Sequence, residues 1–335
     1  MSTIADVAAR AGVSKATASR ALSGHGYVSE KARARVRAAA EELSYIAHSS
    51  ATSLATGRSL SVGVIMPTLD RWFFAELLAG VQDGLFTEGY DLVLYGIREG
   101  SAERARLFEQ VLPRRRLDGI VAVGIQPSAH ELERLLQVDS PLVSIGAYSE
   151  GVSAVAIDDA EAARIATEHL IDLGHHDIVF LGGQADAALH ALGDRRRLDG
   201  YLAAMSAAGL EPHARHAVSE TTMPAGYEAA VRLLGDRRNR PTALIGVCDE
   251  TAIGGVIAAR RLGIPIPTEL SIVGIDDHPH AEMFSLTTVR QHPREQGLQA
   301  VRLLRARMNA PDATPTQRTL PVELVVRSSS SATAH

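Results

Sequence analysis

The side chains on one short segment near the N-terminus have the types and spacing to hydrogen-bond with a nucleic acid. Lys15, Ala16, Ser19 and Arg20 are spaced so that they share one side of a helix. Arg20 can donate two parallel hydrogen bonds to guanine O6 and N7, Lys15 can reach the same acceptors or a phosphate, and Ala16 can contact a thymine methyl. An ordinary exposed helix with two basic residues shows the same pattern, so the flanking elements must decide between the two interpretations.

The residues around this segment predict two short helices joined by a tight turn. Between Thr3 and Ala11 the apolar side chains follow the i, i+3, i+4, i+7 spacing of an amphipathic helix, and Thr3 stands at its N-cap. Gly12 supplies the backbone freedom for a turn, and Ser14 can cap a second helix that runs to about Leu22. Two helices joined this closely form a helix-turn-helix, which favours the nucleic-acid interpretation.

A third helix, predicted from Ser29 to about Leu43, has the apolar spacing needed to complete a small all-α bundle. In such a bundle the second helix can enter the major groove of DNA with its exposed face toward the base edges. The hydroxyls of Ser14, Thr17 and Ser19 suit phosphate oxygens at the groove walls.

The charge distribution indicates a basic head on an acidic body. The 335 residues carry a net charge of −5, whereas residues 1–60 contain eight Lys or Arg and four Asp or Glu, which is +4 and leaves −9 for the rest. That asymmetry is typical of a nucleic-acid-binding module joined to another unit, although chance charges on a solvated helix also produce it. At this length two or three domains are expected.

Several classes of protein are disfavoured by the sequence. No apolar run approaches the roughly 18 residues of a membrane helix, and the N-terminus lacks the layout of a secretory signal, so we predict a cytoplasmic protein without a membrane partner. Cys248 is the single cysteine, which excludes an internal disulfide and a cysteine-based metal cluster. The phosphate-loop, nucleophile-elbow and zinc-protease motifs are absent. We predict no catalytic residues, no metal and no cofactor.

Beyond Ser61 short apolar runs alternate with helical stretches. The predicted strands are Val62–Met66, Asp91–Tyr95, Gly119–Val123, Leu142–Ile145, Ile178–Leu181, Ala243–Val247 and Ser271–Ile275. This alternation indicates parallel sheets covered by helices on both faces. Because the total exceeds one doubly wound sheet, we expect two similar α/β lobes, with any ligand at the carboxyl ends of the strands.

The head also carries a long and specific sequence pattern. Residues 3–22 read Thr-Ile-Ala-Asp-Val-Ala-Ala-Arg-Ala-Gly-Val-Ser-Lys-Ala-Thr-Ala-Ser-Arg-Ala-Leu, and Val28-Ser29 and Glu42-Leu-Ser-Tyr-Ile46 follow. This head resembles that of the LacI/GalR family of transcriptional regulators, and the resemblance extends over residues 2–327. It implies that Lys15, Ala16 and Arg20 read bases, and that Thr3 joins the other hydroxyl side chains near the phosphates.

Residues 47–58 are mostly small and polar, and they predict a linker with weak helical tendency. The resemblance implies that this segment forms a hinge helix in the minor groove, where Leu54 stands at the position of a leucine that wedges open a base step. A lone apolar residue in a linker is the alternative interpretation of Leu54. Because so short a helix is marginal alone, its formation by two copies on DNA is a natural point of control.

For the lobes, the resemblance implies a fold like that of periplasmic sugar-binding proteins, with chain crossings near Asp158, Val289 and Thr319. Trp72 and Phe73 follow the first predicted strand, in a protein with only 4% aromatic residues. Their position allows them either to stack on a sugar ring or to pack in the core.

Three polar residues are the other candidates for an effector site. Asp276 follows a strand and matches the family aspartate that accepts hydrogen bonds from ligand hydroxyls; turn capping is the alternative. Arg195 falls where sugar-responsive relatives place a ligand-binding arginine, but the two arginines beside it leave the register open by a residue. Asp249 follows another strand, next to a cysteine where a polar side chain is more usual.

We expect a helix-turn-helix head at 1–46, a hinge and linker at 47–60, a two-lobed ligand-binding and dimerisation domain at 61–327, and a disordered tail at 328–335. The resemblance implies a transcriptional repressor that binds a pseudopalindromic double-stranded DNA operator as a homodimer and responds to a small, sugar-like effector. A ligand-responsive activator is the alternative. A solute-binding protein is a further one, which would need a signal sequence and no head.

Overall fold

The computed structural model describes most of the chain. The described residues are 2–23, 26–45, 58–98, 100–114, 117–125, 127–137, 140–146, 151–183 and 192–333. Leu54 and the rest of the predicted hinge up to residue 57 lie outside them. No helix in these ranges is both long enough and apolar enough to cross a bilayer.

The head is a bundle of three helices, α1 Ile4–Ala11, α2 Lys15–Ser23 and α3 Glu30–Glu42. Thr3 caps α1 through a reciprocal pair: its hydroxyl accepts from the Asp6 amide, and the Asp6 carboxylate accepts from the Thr3 amide. Gly12 ends α1 in the left-handed conformation, with a φ of 63°. Apolar side chains from all three helices fill one small core. The predicted helix-turn-helix and third helix are confirmed.

The remainder of the described chain forms two α/β lobes. The strands are β1 Ser61–Met66, β2 Asp91–Gly96, β3 Gly119–Val123, β4 Leu142–Ile145, β5 Ser153–Ile157, β6 Ile178–Leu181, β7 Arg215–Ala217, β8 Ala243–Gly246, β9 Ser271–Asp276, β10 Thr287–Arg290, β11 Gln317–Leu320 and β12 Glu323–Val325. Lobe 1 contains the sheet β11-β5-β4-β3-β1-β2, which is parallel throughout. Lobe 2 contains β12-β10-β9-β8-β6-β7, in which β12 alone runs antiparallel to its neighbour.

Helices cover both sheets. They are α4 Trp72–Thr87, α5 Ala102–Arg106, α6 Ala129–Gln137, α7 Asp159–Asp172, α8 Leu192–Ala207, α9 Met223–Gly235, α10 Asp249–Arg261, α11 Pro279–Met283 and α12 Pro293–Asn309. In lobe 1, α4 and α12 approach so closely that a Cβ on Gly80 would lie 2.0 Å from the Arg294 carbonyl oxygen. Glycine is therefore required at this contact.

The chain passes between the lobes at three places. It enters lobe 2 between β5 and α7, returns between β10 and α12, and crosses again between β11 and β12. These crossings lie close to the predicted positions at Asp158, Val289 and Thr319. Residues at or just after the carboxyl ends of β1, β3, β4, β5 and β9 line one cavity between the lobes, so these strand ends meet there, as expected for this type of sheet.

The predicted disordered tail is wrong for residues 328–333. Ser329 is 2% exposed, its hydroxyl donates to the Ile272 carbonyl at 2.5 Å, and the Thr287 amide donates to that hydroxyl at 2.8 Å. The Ile272 amide donates to the Ser329 carbonyl at 2.8 Å. The polarity of this serine run predicted exposure to solvent. The segment is ordered because it supplies hydrogen-bond partners to the backbone at the amino ends of β9 and β10.

Candidate functional site

The exposed face of α2 is one candidate site. Lys15, Ala16 and Arg20 are exposed, whereas Ala18 and Ala21 on the opposite side are 0% and 2% exposed. The Arg20 Nε donates to the Ala16 carbonyl at 3.2 Å, which lays the side chain along the helix. The three predicted base-reading side chains therefore share one accessible surface, the arrangement that readout of a major groove needs.

The side chains of the four predicted phosphate contacts differ in the partners that they already have. The Ser14 hydroxyl accepts from the Thr17 amide at 3.1 Å and lies 2.8 Å from the Thr17 hydroxyl. The Thr3 hydroxyl donates to Asp6 at 2.8 Å, and Ser19 is half-buried. The Thr3 and Ser14 hydroxyls cap the amino ends of α1 and α2, where backbone amides also favour an anion.

The second candidate site is the cavity between the lobes. Its empty space, counted together with its opening to solvent, is about 710 Å³. Apolar walls come from Ile125 and Ile145 of lobe 1 and from Ile157 at the crossing. The polar lining consists of Arg71, Asp159, Asp194, Arg197, Asp276, Gln291 and Gln296.

Asp276 lines this cavity, and one of its carboxylate oxygens is hydrogen-bonded within the protein. Its Oδ1 accepts from Gln291 Nε2 at 2.6 Å and lies 3.5 Å from Arg197 Nη1. Burial raises the pKa of the Asp276 carboxyl above its usual range, against the opposing charge of Arg197. Gln291 is itself held by Gln296, whose Nε2 donates to its Oε1 at 2.8 Å. The carboxylate is thus positioned by both lobes.

Of the three consecutive arginines in α8, Arg197 lines the cavity, whereas the predicted Arg195 does not. Arg197 Nε donates to Asp159 at 2.8 Å and its Nη1 donates to the Val247 carbonyl at 2.7 Å. Arg195 is exposed and pairs with Asp199 at 3.1 Å. Residues two apart on a helix point to nearly opposite sides, so an error of two positions exchanges the buried face for the solvent face.

Of the two predicted aromatic residues, Phe73 lines the cavity and Trp72 does not. Phe73 lines the cavity together with Phe74, and the two rings meet edge to face with centroids 5.3 Å apart. Trp72 does not line it; its ring packs on His278 with centroids 4.8 Å apart, beside a neighbouring open groove. Trp72 therefore joins the lobes at the rim.

Asp249 also lies away from the cavity lining. It is 0% exposed, and its carboxylate accepts from the His278 amide at 2.7 Å and from the Thr288 hydroxyl at 2.6 Å. Burial and the nearby charge of Asp276 raise the pKa of the Asp249 carboxyl. Its hydrogen bonds stabilise the turn after β9. Because Asp249 does not line the cavity, the structure gives no contact in favour of its predicted role as an effector ligand.

Arg71 is a cavity residue that the sequence did not reveal. It precedes α4, its Nε donates to Glu250 of lobe 2 at 3.2 Å, and its Nη2 lies 3.6 Å from Cys248 Sγ. Burial raises the pKa of the Cys248 thiol to about 11. In the sequence Arg71 is noticeable only as a basic residue directly before Trp72 and Phe73. Its partners, Glu250 and Cys248, are 179 and 177 residues away in the chain.

No cluster of His, Cys, Asp or Glu suited to a metal ion occurs among the described residues. His175, in the Leu-Gly-His-His segment, is buried and bonds instead to Thr242 and Ser271, each at 3.0 Å. Burial lowers the pKa of its imidazole.

Comparison with known proteins gives two domain matches. Residues 3–48 match the model for bacterial regulatory proteins of the lacI family, and residues 167–330 match the periplasmic binding protein-like domain. Catabolite control protein A of Priestia megaterium is 31% identical over 333 residues, which cover 98% of each chain.

Solved structures show the same arrangement of domains. A complex of the transcriptional regulator CelR with cellobiose aligns with a TM-score of 0.71 and 28% identity over 98% of this chain and 100% of that one. The lac repressor dimer bound to operator and the anti-inducer ONPF aligns with a TM-score of 0.86 over 99% of both chains, at 24% identity. The second likeness supports the fold alone.

Proposed function

Because this chain belongs to the lacI family of bacterial regulatory proteins, we propose that it is a repressor whose operator affinity is set by a small polyhydroxylated effector bound between its lobes. The observation that carries the proposal is the pairing of two sites in one chain. An exposed basic helix face can read DNA, and a separate cavity holds a buried carboxylate and guanidinium beside aromatic rings.

On the DNA side, Lys15, Ala16 and Arg20 contact the base edges of the major groove. Thr3, Ser14, Thr17 and Ser19 lie near phosphates, which position the head without reading sequence. Leu54 remains our proposed minor-groove wedge on grounds of sequence alone. Two heads bound through a homodimer would require two half-sites, and hence a pseudopalindromic operator.

On the effector side, the chemistry of the cavity favours an uncharged polyol. Asp276 Oδ2 accepts from ligand hydroxyls, Arg197 donates to a hydroxyl or ring oxygen, and Phe73 covers the apolar face of a sugar ring. The lining contains more carboxylates than guanidinium groups, since Asp159, Asp194 and Asp276 face Arg71 and Arg197. An anionic ligand would therefore meet repulsion.

The regulator acts on DNA inside the cell, so we place it in the cytoplasm. The activator alternative shares both sites and differs only in the position of its operator relative to a promoter. A solute-binding protein would share only the lobes and would have no use for the exposed basic face of α2.

The test is a fluorescence-anisotropy titration of the full chain on the DNA upstream of its own coding sequence. It is run at two salt concentrations, against a random duplex, with and without a panel of mono- and disaccharides. We expect tighter binding to the upstream DNA, a steep salt dependence, and a change of affinity with one sugar. Equal binding to both duplexes at every condition would contradict the assignment of the operator. A response to acidic sugars only would contradict the uncharged effector.

A further inference from the structure

The turn that carries Asp276 has an unusual backbone. Asp276 has a φ of 134° and Asp277 a φ of 57°, so two consecutive non-glycine residues lie in the left-handed half of conformational space. Aspartate tolerates the second value, but a φ near 134° is rarely adopted by residues with a Cβ. Such a conformation persists only where the surroundings hold it. Some group must therefore oppose relaxation of this turn.

The Asp277 carboxylate bonds to arginines from two separate segments. Its Oδ2 accepts from Arg290 Nε at 2.6 Å, and its Oδ1 accepts from Arg327 Nη2 at 2.6 Å. Partial burial alone would raise the pKa of Asp277, but the bonds from these arginines hold that pKa below its usual range. Asp277 does not line the cavity and both of its oxygens accept from arginines, so Asp277 is not itself placed to bind the effector.

Both arginines are anchored to the sheet of lobe 2. Arg327 Nη1 donates to the Leu286 carbonyl at 2.7 Å, and the Arg327 amide donates to the Thr287 hydroxyl at 2.9 Å. Arg290 lies in β10, hydrogen-bonded in register with Asp276. The two ion pairs consequently connect the turn to β10 and to the segment that follows β12.

We propose that Asp277 is a positioning residue for the effector site: its ion pairs with Arg290 and Arg327 hold the turn that directs the Asp276 carboxylate into the cavity. The proposal rests on the function proposed above, in which Asp276 binds the effector. Gln291 and Arg197 act on the Asp276 side chain, whereas the Asp277 clamp acts on the backbone beside it. The segment after β12, which the sequence assigned to the end of the domain, thereby supports ligand binding.

Three variants separate the clamp from other roles of Asp277. Asp277→Gly removes both ion pairs but introduces the residue best suited to a φ of 57°. Arg327→Gln breaks one ion pair from the other side and leaves the turn sequence intact. Glu323→Gln is the matched control, because it removes the exposed partner of Arg290 at 2.7 Å without touching Asp277.

The first measurement needs no ligand. Hydrogen exchange of the amides in residues 274–279 of the full chain is compared among the variants at one pH. We expect exchange about tenfold faster in Asp277→Gly and in Arg327→Gln, and unchanged in Glu323→Gln, since charge-assisted hydrogen bonds are lost only in the first two. Wild-type exchange in Asp277→Gly would overturn the clamp, because it would mean that the position needs only a residue tolerant of positive φ.

The second measurement is a titration with D-ribose and with cellobiose, followed by the fluorescence of Trp72, the single tryptophan. If the wild type responds, we expect a midpoint about tenfold higher in Asp277→Gly and Arg327→Gln, with operator affinity unchanged. Equal midpoints would overturn the positioning role. If the wild type responds to neither sugar, that result counts against the proposed effector class, and the exchange measurement alone decides the clamp.

Discussion

The head and the interlobe cavity present their charged groups in opposite ways. On α2, Lys15 and Arg20 are exposed and have no buried ionic partner in the described structure. In the cavity, Arg197 and Asp276 are 8% and 4% exposed and each has partners from more than one element. The two basic side chains of α2 can therefore gain ionic partners without losing any, whereas a ligand in the cavity must exchange ionic contacts that already exist.

Because of this difference, we expect substitutions in the cavity to affect folding as well as binding, and substitutions on the exposed face of α2 to affect binding alone. Removing an exposed basic side chain from the head leaves no buried charge without a partner. Removing one member of a buried ion pair leaves the other charge desolvated, at a cost of several kcal/mol. Four substitutions test that contrast.

The largest effect is expected for Arg197→Ala. The change leaves Asp159 and Asp276 buried without their guanidinium partner, so the free energy of unfolding should fall by about 3–5 kcal/mol and effector binding should be lost. Arg195→Ala is the matched control, because its pair with Asp199 is exposed and is worth about 0–1 kcal/mol. Urea unfolding, followed by Trp72 fluorescence, measures the stability of both variants. Equal losses of stability would mean that the buried ion pairs of Arg197 contribute no more than the exposed pair of Arg195.

Arg20→Ala should affect binding alone. Loss of a two-pronged contact with a base is worth about 1–3 kcal/mol at each half-site, with stability and effector affinity unchanged. Arg10→Ala removes the same charge from the head at its pair with Glu42, away from the α2 face. Anisotropy titrations on operator and random DNA compare the two variants. If both lose the same affinity on both duplexes, Arg20 acts through charge and reads no base.

Ser329→Ala extends the contrast to the C-terminal segment. The change leaves the Thr287 amide and the Ile272 carbonyl without a buried partner, so we expect a loss of about 1–3 kcal/mol in the stability of lobe 2. Ser328→Ala, at an exposed neighbour, should change stability by less than about 0.5 kcal/mol. Thermal unfolding of the two variants provides the measurement. Identical melting temperatures would mean that these hydrogen bonds contribute nothing in solution.

The same contrast explains which parts of the fold could be predicted from sequence. The head depends on caps and spacings within a few residues, so Thr3, Ser14 and Ser29 indicated the helix starts directly. Seven strands with strong apolar runs were found, but five were missed: β5, β7, β10, β11 and β12. Most of these are three to five residues long with polar members, and they are strands because a neighbouring strand pairs with them.

The cavity was predictable only in part. Asp276 ends β9 and Phe73 lies in the first turn of α4, both at the carboxyl edge of a sheet, which is a local signal. Choosing Arg197 over Arg195 required the rotation of α8 about its axis, and excluding Trp72 required the position of His278 in the other lobe. Arg71 and Gln291 belong to the site through partners that are distant in sequence. Long-range pairing of this kind leaves no pattern in a single chain.

The smallest expected effect is the dependence of stability on pH, and its sign should differ between the head and lobe 2. In the head, hydrogen bonds from Thr3 lower the pKa of Asp6, so the stability it contributes is present above the ordinary carboxyl pKa and is lost as pH falls through the lowered value. In lobe 2, burial raises the pKa of Asp249 and of Asp276. The folded state then binds more protons than the unfolded state, and stability declines as pH rises above about 4 through the raised values.

Asp249→Asn should therefore flatten the pH dependence of lobe 2 without altering that of the head. The amide cannot ionise, and its oxygen can still accept from the His278 amide, so stability at pH 7.5 should rise by on the order of 1 kcal/mol while stability at pH 5 changes less. Urea unfolding at the two pH values, followed by Trp72 fluorescence, reports on the lobes, and hydrogen exchange in α1 reports on the head. A variant that is less stable at pH 7.5 than the wild type would show that the Asp249 carboxylate is ionised and stabilising. The stability of the head and of lobe 2 would then depend on pH with the same sign.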